Sequence, residues 1–182
     1  MNAASGAPAR ARAPWAALAL VALAGCAPGL RTVSTPDGAF IYGFFAVPEK
    51  EGDVNCVGLI QAERVGIAGR AGCAPTSPEG LFFIQDVPPI QHNVHNFYID
   101  LNAQQLGDMA KPFSVRPGEL HLYGIYQYRK ISDPGIGRHG KFALTPTSRP
   151  SHAEVLRKLL QQQSISARWK KRIEARLREL GG

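Results

Sequence analysis

From residue 39 onward, the chain is built of short runs of aromatic and β-branched residues separated by Gly, Pro, Asn and Asp. This pattern is typical of β-strands joined by turns. We predict seven strands, at residues 39–47, 54–62, 81–85, 94–102, 113–116, 120–129 and 141–145. Since no segment with helical periodicity lies between them, parallel crossover units are disfavoured. The predicted fold class is therefore mainly β, with an antiparallel seven-stranded β-sandwich over residues 39–148.

Side-chain alternation predicts the faces of two of these strands. In the strand that begins at residue 94, one face carries His95, Phe97 and Ile99, and the other carries Asn96 and Tyr98. In the strand that begins at residue 120, both faces are bulky, with Leu120, Leu122, Tyr126 and Tyr128 opposite Tyr123 and Ile125. A strand with two bulky faces is expected in the centre of a sheet.

Residues 1–25 have the pattern of a signal peptide. Arg10 and Arg12 precede an apolar run at residues 15–24, which is about half the length needed to span a bilayer. The next residues complete the motif LAGC, which resembles the lipobox of bacterial lipoproteins and ends at Cys26. The resemblance implies cleavage before Cys26 and attachment of lipid to its thiol. An ordinary secretory signal or an uncleaved anchor is the alternative.

The residues that follow the lipobox indicate the membrane in which the protein is expected to be anchored. Ala27, and not aspartate, comes after Cys26. Under the enterobacterial sorting rule, this resemblance implies a lipid-anchored protein of the cell envelope, at the outer membrane and facing the periplasm. Residues 26–38 have two prolines, two glycines and no periodicity. We interpret them as the lipidated N-terminus and a tether that reaches at most roughly 40 Å.

Three segments of the strand region resemble a known family. The run GLFFIQDVPP at residues 80–89 is similar to the strand and proline turn of transthyretin-like, carboxypeptidase-regulatory-type β-sandwich modules. The runs FSVRPGE at residues 113–119 and LYGI at residues 122–125 resemble a later signature of bacterial lipoproteins built on such modules. Ile90 stands where the family usually has glycine. The resemblance covers about residues 39–145 and implies a module that is seldom catalytic.

The cysteines and glycines between residues 56 and 73 suggest a loop closed by a disulfide. With Cys26 assigned to lipid, Cys56 and Cys73 form an even pair in an oxidising compartment. The alternative is two reduced thiols. The glycines at positions 66, 69 and 72 lack the helix and the Lys-Ser or Lys-Thr pair of a phosphate loop, so we interpret the segment as a hairpin connection.

Two groups of side chains are candidates for binding. His92 and His95, with Asp86 and Asp100 nearby, suggest a metal ion, but residues three apart on a strand point to opposite faces. We therefore favour two loop or surface histidines and expect no metal. Tyr123, Tyr126 and Tyr128 are a candidate aromatic platform for a glycan, although tyrosines in a sandwich more often fill its core.

Residues 149–182 change from strand to helix periodicity and are predicted to form a helical hairpin. Ser151 and Glu154 have capping-box spacing at the start of the first helix. The apolar stripe of the second contains Trp169 and Ile173. The hairpin has nine Lys or Arg against three Asp or Glu. Either the stripe packs on the sandwich and the basic face is solvated, which we favour, or the hairpin docks on an anionic surface.

These patterns favour an envelope lipoprotein that acts as a non-catalytic structural or binding module for a protein or glycan partner. A small periplasmic hydrolase or carbohydrate-active accessory enzyme is the alternative, although no motif of a hydrolase or a cofactor site is present in the sequence. The formal net charge of +7 would permit nucleic-acid binding, but an exported protein does not meet this partner.

Overall fold

A computed structural model describes residues 29–33, 37–62, 70–100, 102–132 and 141–181. The strands over these ranges are β1 (Ala39–Ala46), β2 (Val54–Ala62), β3 (Arg70–Pro75), β4 (Leu81–Val87), β5 (Gln91–Ile99), β6 (Asn102–Gln105), β7 (Phe113–Ser114), β8 (Leu120–Ser132) and β9 (Lys141–Pro146). The helices are α1 (His152–Leu160) and α2 (Ala167–Glu179). The chain is therefore mainly β with two C-terminal helices, as predicted.

The described residues contain nine strands, and the predicted number of seven is wrong. The two strands missed are β3, with the sequence RAGCAP, and β6, with the sequence NAQQ. Both lie at the edge of a sheet and are mostly exposed. Edge strands gain little from apolar burial, so small and polar residues suffice there, and a search for β-branched runs does not find them.

Sheet A has the strand order β4-β1-β8-β9 and mixes both strand directions. β4 and β9 are antiparallel to their neighbours, but β1 and β8 are parallel, with Phe40 beside Leu120 and Phe44 beside Ile125. The prediction of an entirely antiparallel fold is therefore wrong. Parallel neighbours need a long connection. Here β2 to β7 supply it, five of them from the other sheet, which explains why no intervening helix indicated it in the sequence.

Sheet B has the order β3-β2-β5, and both β6 and β7 pair with the other edge of β5. The inner faces of the two sheets enclose one apolar core, which includes Phe45, Phe82 and Phe97. The Phe45 ring stacks on those of both other phenylalanines, with centroids 5.5 and 4.9 Å apart. The two sheets thus form a sandwich, in agreement with the predicted architecture.

The helices form a third layer on the outer face of sheet A. Residues of β1 alternate between the two layers, so that Ile41 and Phe45 face sheet B while Phe40 and Tyr42 face the helices. Trp169 and Ile173 of α2 are fully buried in this second core. The apolar stripe therefore packs on the sandwich, as favoured from the sequence. No helix among the described residues is long and apolar enough to cross a membrane.

The start of α1 is fixed by two local contacts. The Ser151 hydroxyl accepts from the Glu154 N–H at 3.3 Å, and the Glu154 carboxylate accepts from the Ser151 N–H at 2.6 Å, which is the predicted capping box. Nε2 of His152 lies 2.7 Å from the hydroxyl of the buried Tyr42. Burial lowers the pKa of His152 and raises that of Tyr42, so the phenol O–H donates to a neutral imidazole.

A β-bulge changes the phase of β5. Gly58 pairs with Asn96 and Leu59 with Val94, which leaves His95 as an extra residue. Phe97 and Ile99 face the core as predicted, but Val94 and His92 are buried as well. The predicted alternation is therefore wrong on the N-terminal side of the bulge.

A second bulge lies in β8, where Tyr42 pairs with Leu122 and Gly43 with Gly124. Tyr123 is the extra residue, and the face assignment changes from there. Residues that contact the helical layer are Leu120, Leu122 and Ile125, and residues that contact the inter-sheet core are Tyr123, Tyr126 and Tyr128. The predicted faces are right for Leu120, Leu122 and Tyr123, and they are wrong beyond residue 123.

Candidate functional site

The segment before β1 is bound to both sheets. The side chain of Gln61 of β2, which is 1% exposed, makes two hydrogen bonds with the main chain of Arg31. The Arg31 N–H donates to Oε1 of Gln61 at 2.7 Å, and Nε2 of Gln61 donates to the Arg31 carbonyl at 2.9 Å. The Val33 N–H donates to the Asp86 carbonyl of β4 at 2.7 Å. We call these contacts of Arg31 and Val33 with Gln61 and Asp86 the N-terminal clamp.

The clamp also has an apolar part. The side chain of Leu30 packs against the inter-sheet core and lies over Gly72 of β3. A Cβ atom at position 72 would be only 2.5 Å from Leu30 Cγ, so glycine leaves the space that the leucine fills. The described part of the segment predicted as a tether therefore contacts the sandwich from Leu30 onward. Cys26 and the glycines at positions 66 and 69 lie outside the described residues.

A shallow groove of about 580 Å³ lies beside the clamp. It runs between residues 73–75 of β3 and residues 83–86 of β4, which are edge strands of different sheets. Leu30 and Val33 line it on one side, and Ser164, from the connection between the helices, lines another part. The groove thus lies where the N-terminal segment, both sheets and the helical layer meet.

Asp86 links these elements. Its φ of 57° is in the left-handed region, which aspartate tolerates better than most residues other than glycine. Its main-chain carbonyl is part of the clamp. Its Oδ1 accepts from Arg168 Nη2 at 2.7 Å and from Trp169 Nε1 at 2.9 Å, both in the first turn of α2. One residue of β4 therefore positions the N-terminal segment next to the start of α2.

The disulfide lies on the outer face of sheet B, near the groove. Cys56 of β2 pairs with Pro75, and Cys73 of β3 pairs with Gly58, so the two cysteines are diagonal neighbours on one face. Their Cα atoms are 5.6 Å apart and their sulfurs are at disulfide distance, in agreement with the expected pairing. This cross-link holds the edge strand β3 against β2.

The histidines and aspartates considered for a metal site do not share a partner. His92 is fully buried in β5, so its interpretation as a loop or surface residue is wrong, and its Nε2 lies 2.9 Å from the Pro88 carbonyl. Burial lowers the pKa of both His92 and His95, so the imidazoles are neutral at pH 7. Asp100 accepts from the Asp53 N–H, while Asp86 accepts from α2. Over the described ranges, no group of three or more His, Cys, Asp or Glu could hold a metal ion.

The three candidate tyrosines of β8 are used in packing between the sheets. Tyr123 and Tyr126 lie 5.8 Å apart with tilted rings, and Tyr126 stacks on Phe45 at 5.9 Å. Tyr128 is 4% exposed and stacks on Phe142. Burial raises the pKa of Tyr123 to about 12. These contacts support the core-filling interpretation of the tyrosines over a flat glycan platform.

Sequence reasoning missed the central residues of the clamp. Gln61 gave one signal, because a lone amide in the apolar run of residues 57–62 needs a buried partner. That partner is a main chain 30 residues away, which no local pattern indicates. Asp86 was noted only for a metal site, and its contact with Trp169 spans 83 residues.

The comparisons with known proteins add no family to this geometry. No protein-family model matches the chain, and no curated protein matches it. The function is therefore inferred from the chain's own residues.

Proposed function

We propose that the protein is a lipid-anchored lipoprotein of the cell envelope, at the outer membrane and facing the periplasm, where it acts as a non-catalytic module that binds a partner protein. The lipid would be attached to Cys26. The transthyretin-like resemblance of residues 80–89 and 113–125 is consistent with this role, because such modules are seldom catalytic.

The N-terminal clamp is the observation that carries the proposal. Only three residues, 27–29, separate Cys26 from Leu30, whose side chain is packed on the sandwich. Four residue steps span at most about 14 Å. A lipid on Cys26 would therefore hold the sandwich close to the membrane and in a restricted orientation. A long free tether would need no such binding sites on the body for the residues that follow the lipobox.

Two observations favour a partner protein over the other candidates. The tyrosines that would stack on a glycan pack between the sheets. Of the polar residues that a hydrolase would need, His92, Asp86 and Asp100 have separate partners, and His95 bonds the Gly58 main chain. A module fixed to a membrane increases the effective concentration of its binding surface for other proteins at that membrane, without any new contact.

Metabolic labelling with palmitate tests the anchor. We expect label in the wild type and in the Cys56→Ala/Cys73→Ala double variant, which keeps the lipobox cysteine, and no label in Cys26→Ala. Label in Cys26→Ala, or its lack in the wild type, would contradict the proposal.

Crosslinking in intact cells tests the partner. We expect a discrete adduct of the wild type with a second protein, reduced at least tenfold in Cys26→Ala at equal abundance, because the lipid supplies the effective concentration. An adduct of equal yield in both, or no adduct in either, would refute the anchored binding module.

A further inference from the structure

The helix α2 has a strongly basic solvent-facing side. Its buried residues, Trp169 and Ile173, face sheet A. The helix has two acidic residues, Glu174 and Glu179, against six basic ones, which are Arg168, Lys170, Lys171, Arg172, Arg176 and Arg178. The excess makes this side of the helix electropositive.

Half of these basic residues are bound within the protein. Arg168 pairs with Asp86, Arg176 pairs with Glu179 at 2.7 Å, and Arg172 donates to the Gly118 carbonyl. Lys170, Lys171 and Arg178 have no ion pair or side-chain hydrogen bond with the described residues. Lys171 and Arg178 are exposed and seven residues apart, which places them two turns apart on the side opposite Trp169. We call Lys170, Lys171 and Arg178 the basic ridge.

The rest of the chain does not share this charge. Residues 149–182 have nine basic and three acidic residues, whereas residues 26–148 have ten basic and eleven acidic residues. The positive charge is thus concentrated in one of the three layers. Because the apolar stripe of α2 is already buried on sheet A, an external surface can contact this layer only through its polar side.

The first turn of α2, which precedes the basic ridge, lies next to Val33, three residues after Leu30, where the N-terminal segment leaves the sandwich. Asp86 holds Val33 through its carbonyl and the first turn of α2 through its carboxylate. Cys26 lies seven residues before Val33, a span of at most about 25 Å. A lipid at Cys26 would therefore bring the bilayer within reach of α2.

We propose that the basic ridge contacts the anionic phospholipid headgroups of the membrane that holds the lipid anchor; the inference rests on the proposed anchor. The contact is electrostatic and at headgroup depth, since Trp169 is 0% exposed and does not insert. Each Lys or Arg near an anionic membrane surface strengthens binding about fivefold. The ridge then fixes which side of the sandwich faces the membrane, and the outer face of sheet B points away from it.

Amine footprinting of the lipidated protein tests the contact. The protein is purified from membranes, reconstituted into vesicles of phosphatidylcholine alone or with 30% phosphatidylglycerol, and acylated briefly. We expect Lys170 and Lys171 to react at least threefold more slowly in the anionic vesicles, and the difference to disappear in high salt. Lys111, an exposed residue between β6 and β7, is the internal control, and its acylation rate should be the same in both vesicles. Equal rates for all three lysines in both vesicles would overturn the proposal.

A second experiment separates the ridge from the anchor. The chain from residue 27 onward, which contains every described residue, is sedimented with the same anionic vesicles without lipid. We expect Lys171→Glu/Arg178→Glu to weaken binding at least tenfold. The control Lys50→Glu/Lys111→Glu, with the same change in net charge, should retain affinity within about threefold.

The two experiments distinguish the possible failures. Binding of the unlipidated chain through the ridge, in a protein that takes up no palmitate, would refute the anchor and leave the ridge established. Palmitate uptake without protection of Lys170 and Lys171 would refute the ridge alone. Protection in intact cells but not in anionic vesicles would identify an acidic protein as the occupant and overturn the membrane proposal.

Discussion

Sheet A is enclosed by apolar layers on both faces, whereas no described helix covers the outer face of sheet B. The first seven residues of β1 in sheet A are buried, but only one residue of β3 in sheet B, Ala74, is buried. Sheet B has the Cys56–Cys73 cross-link on its outer face instead. Sheet B shares the inter-sheet core but has no second apolar layer from the described helices, and a covalent bond holds its edge strand instead.

The largest expected effect is on the second layer of sheet A. Trp169 is 0% exposed, lies 5.2 Å from Phe40 and donates to Asp86, so Trp169→Ala removes packing and a hydrogen bond together. We expect the free energy of unfolding to fall by about 3–5 kcal/mol. Urea unfolding of the chain from residue 27 onward, followed by circular dichroism, measures the change.

The matched control is Leu180→Ala, at a residue next to the end of the same helix that is 41% exposed. It should change the free energy of unfolding by no more than about 0.5 kcal/mol. If Trp169→Ala were as mild as this control, the helices would not be a structural layer of sheet A.

The second effect is on sheet B. Removal of the disulfide in Cys56→Ala/Cys73→Ala opens a loop of 17 residues, which should cost about 3 kcal/mol in the chain-entropy model. Urea unfolding in the presence and absence of reductant measures it. The wild type with reductant should match the double variant, and the double variant itself should not respond. An equal midpoint for the wild type with and without reductant would show that sheet B does not depend on the cross-link.

The sequence was sufficient for the general architecture, because this depends on local patterns. The aromatic and β-branched runs predicted most of β1, β2, β5 and β8, and the capping box at Ser151 predicted the start of α1. It was not sufficient for the faces of β5 and β8. One extra residue in each strand, His95 and Tyr123, reverses a period-two pattern without changing its composition.

The site depends on contacts that are distant in sequence. The disulfide was predictable from the number of cysteines and the expected compartment. The clamp was not, because Gln61 and Asp86 bind main-chain groups 30 and 53 residues before them. The sequence around Gln61 indicated only that a polar side chain in an apolar run needs a hydrogen-bond partner, and not which group that partner is. The packing of α2 was favoured from its stripe, but its position next to the N-terminal segment required the fold.

The smallest expected effects are those of replacing one glycine in each sheet by alanine. A Cβ atom at Gly43 of β1 would lie 2.5 Å from Cε1 and 2.7 Å from Cζ of Phe82, whose ring is 1% exposed and cannot move aside. Gly43→Ala should therefore cost about 1–3 kcal/mol by overpacking. A Cβ atom at Gly58 of β2 would overlap Oδ1 of Asn96 and lie 2.9 Å from Cε1 of His95, and Asn96 is itself only 5% exposed.

This second clash is the shorter one and involves a buried side chain, so we expect Gly58→Ala to lower the free energy of unfolding by about 1–3 kcal/mol as well. Although no helix of the described chain lies over Asn96, its Oδ1 is buried, so the side chain cannot turn away without displacing its neighbours. Parallel urea titrations of the two variants give the ratio of the costs. A cost below about 0.5 kcal/mol for Gly58→Ala would show that the outer face of sheet B yields where the interior of sheet A does not.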